Sequence, residues 1–323
     1  MKKESDSENV FIILGPTSTG KTSLALDLCK RFNGEIISAD SKQVIKFMDV
    51  GTGKSPVGSE VLVEKKDMCW KVNGINIWGY DLVTPDEYFS GYDFAKFALK
   101  KVRDLQESKK SIFVVGGTGF YIDLFTGRIK PSCVGLDLEL RSSLEDLPLE
   151  SLQVRLLNLN PMVYKGIDKK NKVRLIRAIE RETLRGLGNP GFSDTVLNYL
   201  SNESNKYNFI HLGLNGPREL LYKNSDAWVD AIWSMGLIEE VKALIDMGYR
   251  DSPKLQGLVY KTVLSFIDDK IIEKDAIQRI KYDIHSYIRR QMTWFKKNKE
   301  IKWVDISQDG YKKIIYNDIE RKL

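Results

Sequence analysis

Eight residues, Gly15-Pro16-Thr17-Ser18-Thr19-Gly20-Lys21-Thr22, carry the spacing GxxxxGK[ST]. Glycines at these positions let the chain turn so that several backbone N–H groups converge on one anion at a helix N-terminus. Lys21 adds a point charge, and the Thr22 hydroxyl is placed for Mg²⁺. The chemistry on offer is the binding of a diphosphate or triphosphate, the use made of such loops by ATP- and other nucleotide-binding proteins. A P-loop hydrolase also needs an aspartate closing an apolar strand to hold its metal. The best strand for that role, Ser111–Val115, runs into Gly116-Gly117, and there is no NKxD guanine motif. The phosphate is therefore open to another role, that of a leaving group.

Asp40 ends the apolar stretch EIISAD (35–40). At the carboxyl end of a strand it stands where open α/β sheets bind ligands. It can take a proton from an incoming nucleophile or hold Mg²⁺ through water, or simply cap a following helix. Ser41, Lys42 and Gln43 follow it with hydrogen-bonding groups. Gly116-Gly117-Thr118-Gly119 closes a second apolar stretch. It reads as a strand-to-helix turn that leaves the Thr118 hydroxyl exposed at the same edge. Between Lys165 and Arg185, eight cations (Lys165, Lys169, Lys170, Lys172, Arg174, Arg177, Arg181, Arg185) face three acids. That is either a surface for polyanions or a solvated helix face. The run Arg289–Trp303 interleaves cations with aromatics, a pattern suited to nucleic acid and equally to an amphipathic helix with Met292 and Phe295 inside. His211 sits in an apolar strand and reads as packed. His285 has no second ligand one helical turn away.

These residues need elements to position them. Val10–Leu14 is an apolar run ahead of the loop, and Leu24, Leu28 and Phe32 recur every four residues behind it, so the loop joins a strand to a helix. Asn33-Gly34 ends that helix. Strands are expected at 35–40, 75–80, 111–115 and 209–214, with a helix over Pro85–Gln106. The alternation predicts a parallel α/β sheet with right-handed crossovers. From about 128 to 200 the chain turns to short Leu-rich helical stretches, read as a helical insertion domain; 1–127 and 201–323 form the core. The stretch 186–208 reads as loop. Helices follow near 217–247, 254–267 and 273–298.

Composition excludes other classes. At 323 residues the chain is long enough for about two domains. Apolar residues make up 42% and charged residues 29%, which excludes a disordered chain. No apolar run approaches the roughly 20 residues of a membrane helix. The net charge of +6 permits a polyanionic partner without demanding one. Cys29, Cys69 and Cys133 with two histidines form no CxxC or HxxxH, against structural zinc or a disulfide framework. The polar start MKKESDSEN reads as a frayed end and not a signal peptide, so a cytoplasmic location is expected.

Taken together and in order, five segments resemble the tRNA dimethylallyltransferases of bacterial type. GPTSTGKTSLA is similar to that family's P-loop, EIISADSKQV with MDVGTGK to its second motif and VVGGTGFYI to its third. KVRLIRAIE (172–180) is similar to its insertion-domain motif and RRQMTWF to its C-terminal one. The likeness runs from about Phe11 to Trp303. It implies a P-loop NTPase-like core with an inserted tRNA-contacting domain. It also implies Mg²⁺-dependent transfer of dimethylallyl from its diphosphate to N6 of adenine-37 in a tRNA anticodon stem-loop, by a monomer without a membrane. Carried over, Gly15 to Thr22 bind the diphosphate, with Thr17 and Lys21 catalytic and Thr22 on the metal. Asp40 is the general base, and Ser41, Lys42, Gln43, Thr118 and Val173-Arg174-Leu175-Ile176-Arg177 contact tRNA.

Some positions depart from the pattern. Asn224 and Trp228 stand where arginines are usual, Ile284-His285 where Thr-Arg is usual, and Leu258-Val259-Tyr260-Lys261 where IGYK is usual. These departures imply lower activity, or compensation by Arg218 or Lys223. Two other readings fit fewer of the residues: an isopentenyltransferase acting on free adenine nucleotides, which needs no basic insertion, and a catalytically weak RNA-binding P-loop protein, which does not need Lys21, Thr22 and Asp40 intact.

Overall fold

The computed structural model describes residues 9–57, 61–130, 137–186 and 200–323. The polar start before Asn9, Cys133, most of the 186–208 loop and the side chain of Arg185 lie outside the described residues. Residues 200–204, expected as loop, are helical.

Strands β1 (Asn9–Leu14), β2 (Gly34–Ser38), β5 (Ile75–Trp78), β6 (Ser111–Gly116), β7 (Asn208–Asn215) and β8 (Lys302–Asp305) pair in parallel. The hairpin β3 (Val63–Lys66) and β4 (Cys69–Val72) adds two antiparallel strands at one edge. The order across the sheet is β3-β4-β5-β2-β6-β1-β7-β8. The central strands are buried on both faces, hence their unbroken Val/Ile/Phe runs. Phe11 and Phe113 stack at 5.6 Å across neighbouring β1 and β6. Because β1, β2 and β6 are parallel, Leu14, Ser38 and Gly116 all end on one edge, and the loops that follow them meet there.

Helix α1 (Lys21–Phe32) follows the P-loop, burying Leu24, Ala25, Leu28 and Cys29, and stops at Asn33 in the left-handed region. Helix α2 (Gly91–Glu107) starts six residues later than Pro85, where proline was expected to open it. Ser90 and Asp93 form a reciprocal capping box that fixes the start, and the Pro85 carbonyl instead accepts the Ser252 hydroxyl. After β6 come α3 (Gly119–Phe125) and, past the insertion, α8 (Arg218–Ser234), α9 (Leu237–Asp246), α10 (Leu258–Ile267), α11 (Glu273–Phe295) and α12 (Tyr311–Glu320). Here α4 (Leu138–Glu145), α5 (Leu149–Leu159), α6 (Pro161–Gly166) and α7 (Lys172–Gly186) belong to the insertion.

One compact unit runs to Ile129 and resumes at Ser204; the other lies between, from Lys130 to Glu203. The second unit has its own small core of Leu144, Leu152, Leu156, Leu175 and Ile179. Beside it, Arg141 grips Glu180 through two hydrogen bonds of 2.6 and 2.8 Å. Among the described residues no helix is long and apolar enough to cross a membrane.

Candidate active site

The P-loop leaves β1 at Gly15, whose φ of +144° favours glycine, and a Cβ there would stand 2.2 Å from the Leu214 carbonyl of β7. The glycine is thus required for close passage over the neighbouring strand. The Pro16 carbonyl accepts hydrogen bonds from Thr19 Oγ1 (2.9 Å) and Lys21 Nζ (2.7 Å). Gly20 takes the left-handed region (φ +76°) and starts α1. Residues Thr17 to Thr22 line a cavity of about 600 Å³, whereas Gly15 and Pro16 only shape the loop. Thr22 is exposed.

Asp40 lines the same cavity, as do Lys42, Gln43 and the loop Gly51–Gly53. No helix follows Asp40, so it is not a helix cap. Its Oδ1 accepts the Lys42 N–H at 2.9 Å and closes a turn. Burial raises the Asp40 carboxyl above its usual range; the Lys42 N–H and the Lys21 charge oppose this. Burial likewise lowers Lys21 to about 8 against the pull of Asp40. The two groups therefore shift toward one another, an arrangement suited to a base and a cation at one reaction site.

Thr118 is half-buried, not exposed. Its Oγ1 accepts the Ser41 N–H (3.0 Å) and lies 3.3 Å from the Ser41 hydroxyl, so both hydroxyls tie the Gly116–Gly119 turn to the Asp40 turn. The Gln43 carboxamide is also engaged: it accepts from Ser38 Oγ at 2.7 Å and donates to the Thr52 carbonyl at 3.2 Å. In the insertion unit, Val173 and Arg174 are exposed, and Arg177 is exposed and pairs with Glu180 at 3.1 Å. Leu175 and Ile176 are buried in that unit's core and present no side chain to a partner, a correction to the expected contact set. An α-helix in a small unit must turn part of any five-residue segment inward. Lys172 Nζ donates to the Glu145 carbonyl at the end of α4 (2.6 Å) and is in part structural.

Helices close the cavity. On α8, Leu220, Asn224 and Trp228 fall four residues apart and line it. Asn224 Nδ2 donates to the Ser18 carbonyl at 3.3 Å, and the Trp228 indole lies 3.6 Å from where a Gly53 Cβ would stand. Neither Arg218 nor Lys223 is among the residues that line the cavity. On α10, Leu258 and Tyr260 line it; on α11, Ile284 and Tyr287 do. His285 holds Asp226 at 2.7 Å and stacks on Tyr222 at 3.8 Å, joining α11 to α8. His211 is buried, as expected, and its pKa is lowered by that burial.

Two residues that carry the site were not singled out from the sequence. The Glu240 carboxylate accepts the N–H groups of Asp49, Val50 and Gly51 at 2.7, 2.6 and 3.1 Å, and the Tyr260 hydroxyl at 2.7 Å, fixing the loop that ends in Gly53. Glu240 had no sequence mark beyond an acid in a first helical turn. Gln291, inside RRQMTWF, contacts both the P-loop and Gly117. In the same segment Trp294 Nε1 donates to Asp123 at 2.6 Å, and Phe295 is buried; Met292 is only half-buried. The conspicuous aromatics of that run therefore pack on the protein, and among Arg289 to Phe295 the groups turned inward are Gln291, Trp294 and Phe295.

A phosphate loop on a parallel sheet, sharing its cavity with a carboxylate from the next strand, defines a P-loop NTPase-like protein built for group transfer. The chain belongs to the IPP transferase family, whose model matches residues 43–298; an isopentenyl transferase model also matches residues 8–69. It is similar to the tRNA dimethylallyltransferase of Acetivibrio thermocellus, 37% identical over 320 residues and covering 96% of each chain. Among solved structures it is similar to the tRNA isopentenylpyrophosphate transferase of Bacillus halodurans, with a TM-score of 0.67, 31% identity and coverage of 98% and 96%. A eukaryotic dimethylallyltransferase shares the fold at a TM-score of 0.73 and 24% identity, with coverage of 98% and 80%.

Proposed function

We propose that this protein transfers the dimethylallyl group of dimethylallyl diphosphate to N6 of adenine-37 in the anticodon stem-loop of tRNA. The observation that carries this reading is that the P-loop and Asp40 open into one cavity. Its relatives are tRNA dimethylallyltransferases over nearly their whole length.

The exocyclic amine of adenine is a weak nucleophile, so the leaving group must be stabilised as it departs. N6 attacks C1 of the donor. The C1–O bond breaks with its electron pair going to the diphosphate, and the N6 proton passes to Asp40. The P-loop N–H groups and Lys21 meet the charge that develops on the diphosphate. In this reading Thr17 and Gly20 shape that cradle. Asp40, raised in pKa by burial, holds the proton better than an exposed carboxylate does. Lys42 and Gln43 meet the acceptor base, and Ser41 and Thr118 hold the turn that presents them; the base must leave its stack to enter, at least cost in a loop. The exposed Val173, Arg174 and Arg177 meet tRNA outside the catalytic unit.

The donor set at the P-loop fits Mg²⁺. It offers the Thr22 hydroxyl beside Lys21, and no group of three or more His, Cys, Asp or Glu capable of holding a metal occurs among the described residues. Mg²⁺ keeps several waters and takes phosphate oxygens as ligands, so Thr22 and the donor suffice; when bound it adds positive charge at the leaving diphosphate.

The test is direct. Purified protein, dimethylallyl diphosphate, Mg²⁺ and an unmodified anticodon stem-loop should yield N6-dimethylallyladenosine by mass spectrometry. In competition at equal concentration, AMP should be used at least 10²-fold less efficiently, because it lacks the run of phosphates the stem-loop offers. Equal use of AMP would move the protein to the nucleotide-type isopentenyltransferases.

A further inference from the structure

We infer that Gln291 is a positioning residue that sets the distance between the leaving-group side and the base side of the active cavity. It rests on the transferase reading above. Gln291 projects from α11 and is 5% exposed. Its Oε1 accepts the Thr17 N–H of the P-loop at 2.9 Å, and its Nε2 donates to the Gly117 carbonyl at 3.0 Å. One side chain thus spans two loops that come from neighbouring parallel strands, β1 and β6.

The contact continues on the Gly117 side. Thr118 follows, its hydroxyl accepts the Ser41 N–H, and Ser41 is bonded to Asp40 in the chain. An uninterrupted line runs from the loop that carries the diphosphate to the carboxylate that takes the proton: Thr17, Gln291, Gly117-Thr118, Ser41, Asp40. A carboxamide is suited to this place because it presents an acceptor and a donor in one rigid plane. An aliphatic side chain of the same length would leave the half-buried Thr17 N–H and the buried Gly117 carbonyl without these partners. The space is matched as closely as the polarity: a Cβ on Gly117 would stand 2.3 Å from Gln291 Nε2. A side chain at residue 117 would therefore have to displace the Gln291 carboxamide.

In-line transfer needs N6 about 3–3.5 Å from C1, and a misplacement of about 1 Å costs on the order of 10²-fold in rate. Gln291 does not line the cavity, so its loss acts through geometry. Two variants approach the contact from opposite sides. Gln291→Met keeps the volume and removes both backbone hydrogen bonds, together with the one the carboxamide shares with the Tyr287 hydroxyl; Gly117→Ala keeps the glutamine and pushes its amide away. Both are measured for melting temperature, tRNA affinity, single-turnover rate at saturating donor and tRNA, and exchange of the Thr17 amide proton.

The expected result is a single-turnover rate at least tenfold below wild type in both variants, with tRNA affinity within twofold and Thr17 exchange at least tenfold faster. A folded Gln291→Met with the wild-type rate overturns the proposal, because packing alone would then suffice. If Gln291→Met does not fold, a full rate in Gly117→Ala overturns it, and a tenfold loss there supports it. Wild-type protein without prenyl transfer is a failure of the function, not of this contact. The Thr17 exchange then decides alone, and an unchanged exchange in Gln291→Met refutes the bridge.

Discussion

Lys21 offers a test in which a shifted ionisation should appear directly in the kinetics. Its ammonium is drawn out of water beside the P-loop, where it donates to the Pro16 carbonyl. Burial lowers its pKa to about 8, with Asp40 pulling the other way. In the free enzyme about nine-tenths of the molecules then carry the charge at pH 7 and about one-tenth at pH 9. Binding of the donor should require the charge, so kcat/KM for dimethylallyl diphosphate should fall about tenfold between those values. Once bound, the diphosphate holds the proton on Lys21, and the alkaline limb of kcat should lie higher than that of kcat/KM. Lys21→Arg, whose guanidinium stays charged, controls for ionisation of the diphosphate itself and should lose the limb near pH 8. Lys21→Ala should weaken inorganic diphosphate by roughly 13- to 160-fold, the equivalent of one charged hydrogen bond of about 1.5–3 kcal/mol. Stability gives an independent reading. A lysine whose folded pKa lies below its unfolded value binds fewer protons when folded, so its contribution rises as pH rises from about 8 through the unfolded value. Lys21→Met should therefore melt above wild type at pH 7 and lose that advantage near pH 10.5, the ordinary lysine value. The steady-state assay is donor-limited initial rate against pH for wild type and Lys21→Arg. Superimposable profiles, or equal diphosphate affinity in Lys21→Ala, would remove Lys21 from the diphosphate site.

Three further outcomes are expected. Asp40→Asn should keep fold and tRNA affinity and lose about 10²–10⁴ in kcat, the range for a general base; retention of more than about a third of kcat would remove it from that role. Gly119→Ala should lower stability by about 1–3 kcal/mol in denaturant titration, since its Cβ would stand 2.2 Å from the Trp294 ring; an unchanged midpoint would show that Trp294 can move. Replacing exposed Lys170 and Arg174 together by Ala should flatten the slope of log K for tRNA against log salt by about one unit or more; an equal slope would return the segment to a solvated face.

The P-loop, its flanking strand and helix, and Asp40 were legible in the sequence because their information is local. A glycine-punctuated loop between an apolar run and a four-residue periodicity has few alternatives, and β1 and α1 followed. The class of chemistry followed with them, since the residues that bind phosphate are contiguous. The start of α2 at Gly91 and not Pro85 was also local, but Ser90-x-x-Asp93 competed with a proline that fits a first turn equally well. The hairpin β3–β4 and the strand β8 were not foreseen. Each is four residues long and interrupts its apolar residues with Lys, Glu or Asp, so only pairing with a neighbour defines it. The same holds for the site. Glu240 lies 190 residues in sequence from Val50, and Gln291 lies 274 and 174 residues from the two loops it holds. Leu175 and Ile176 turned inward because of how α7 packs in its own unit. An aromatic-cationic run near the C-terminus, suited equally to nucleic acid and to an amphipathic helix, placed Gln291, Trp294 and Phe295 against the protein. Residue type and spacing specify what a group can do; which way it faces, and what holds it there, is decided by contacts between segments far apart in the chain.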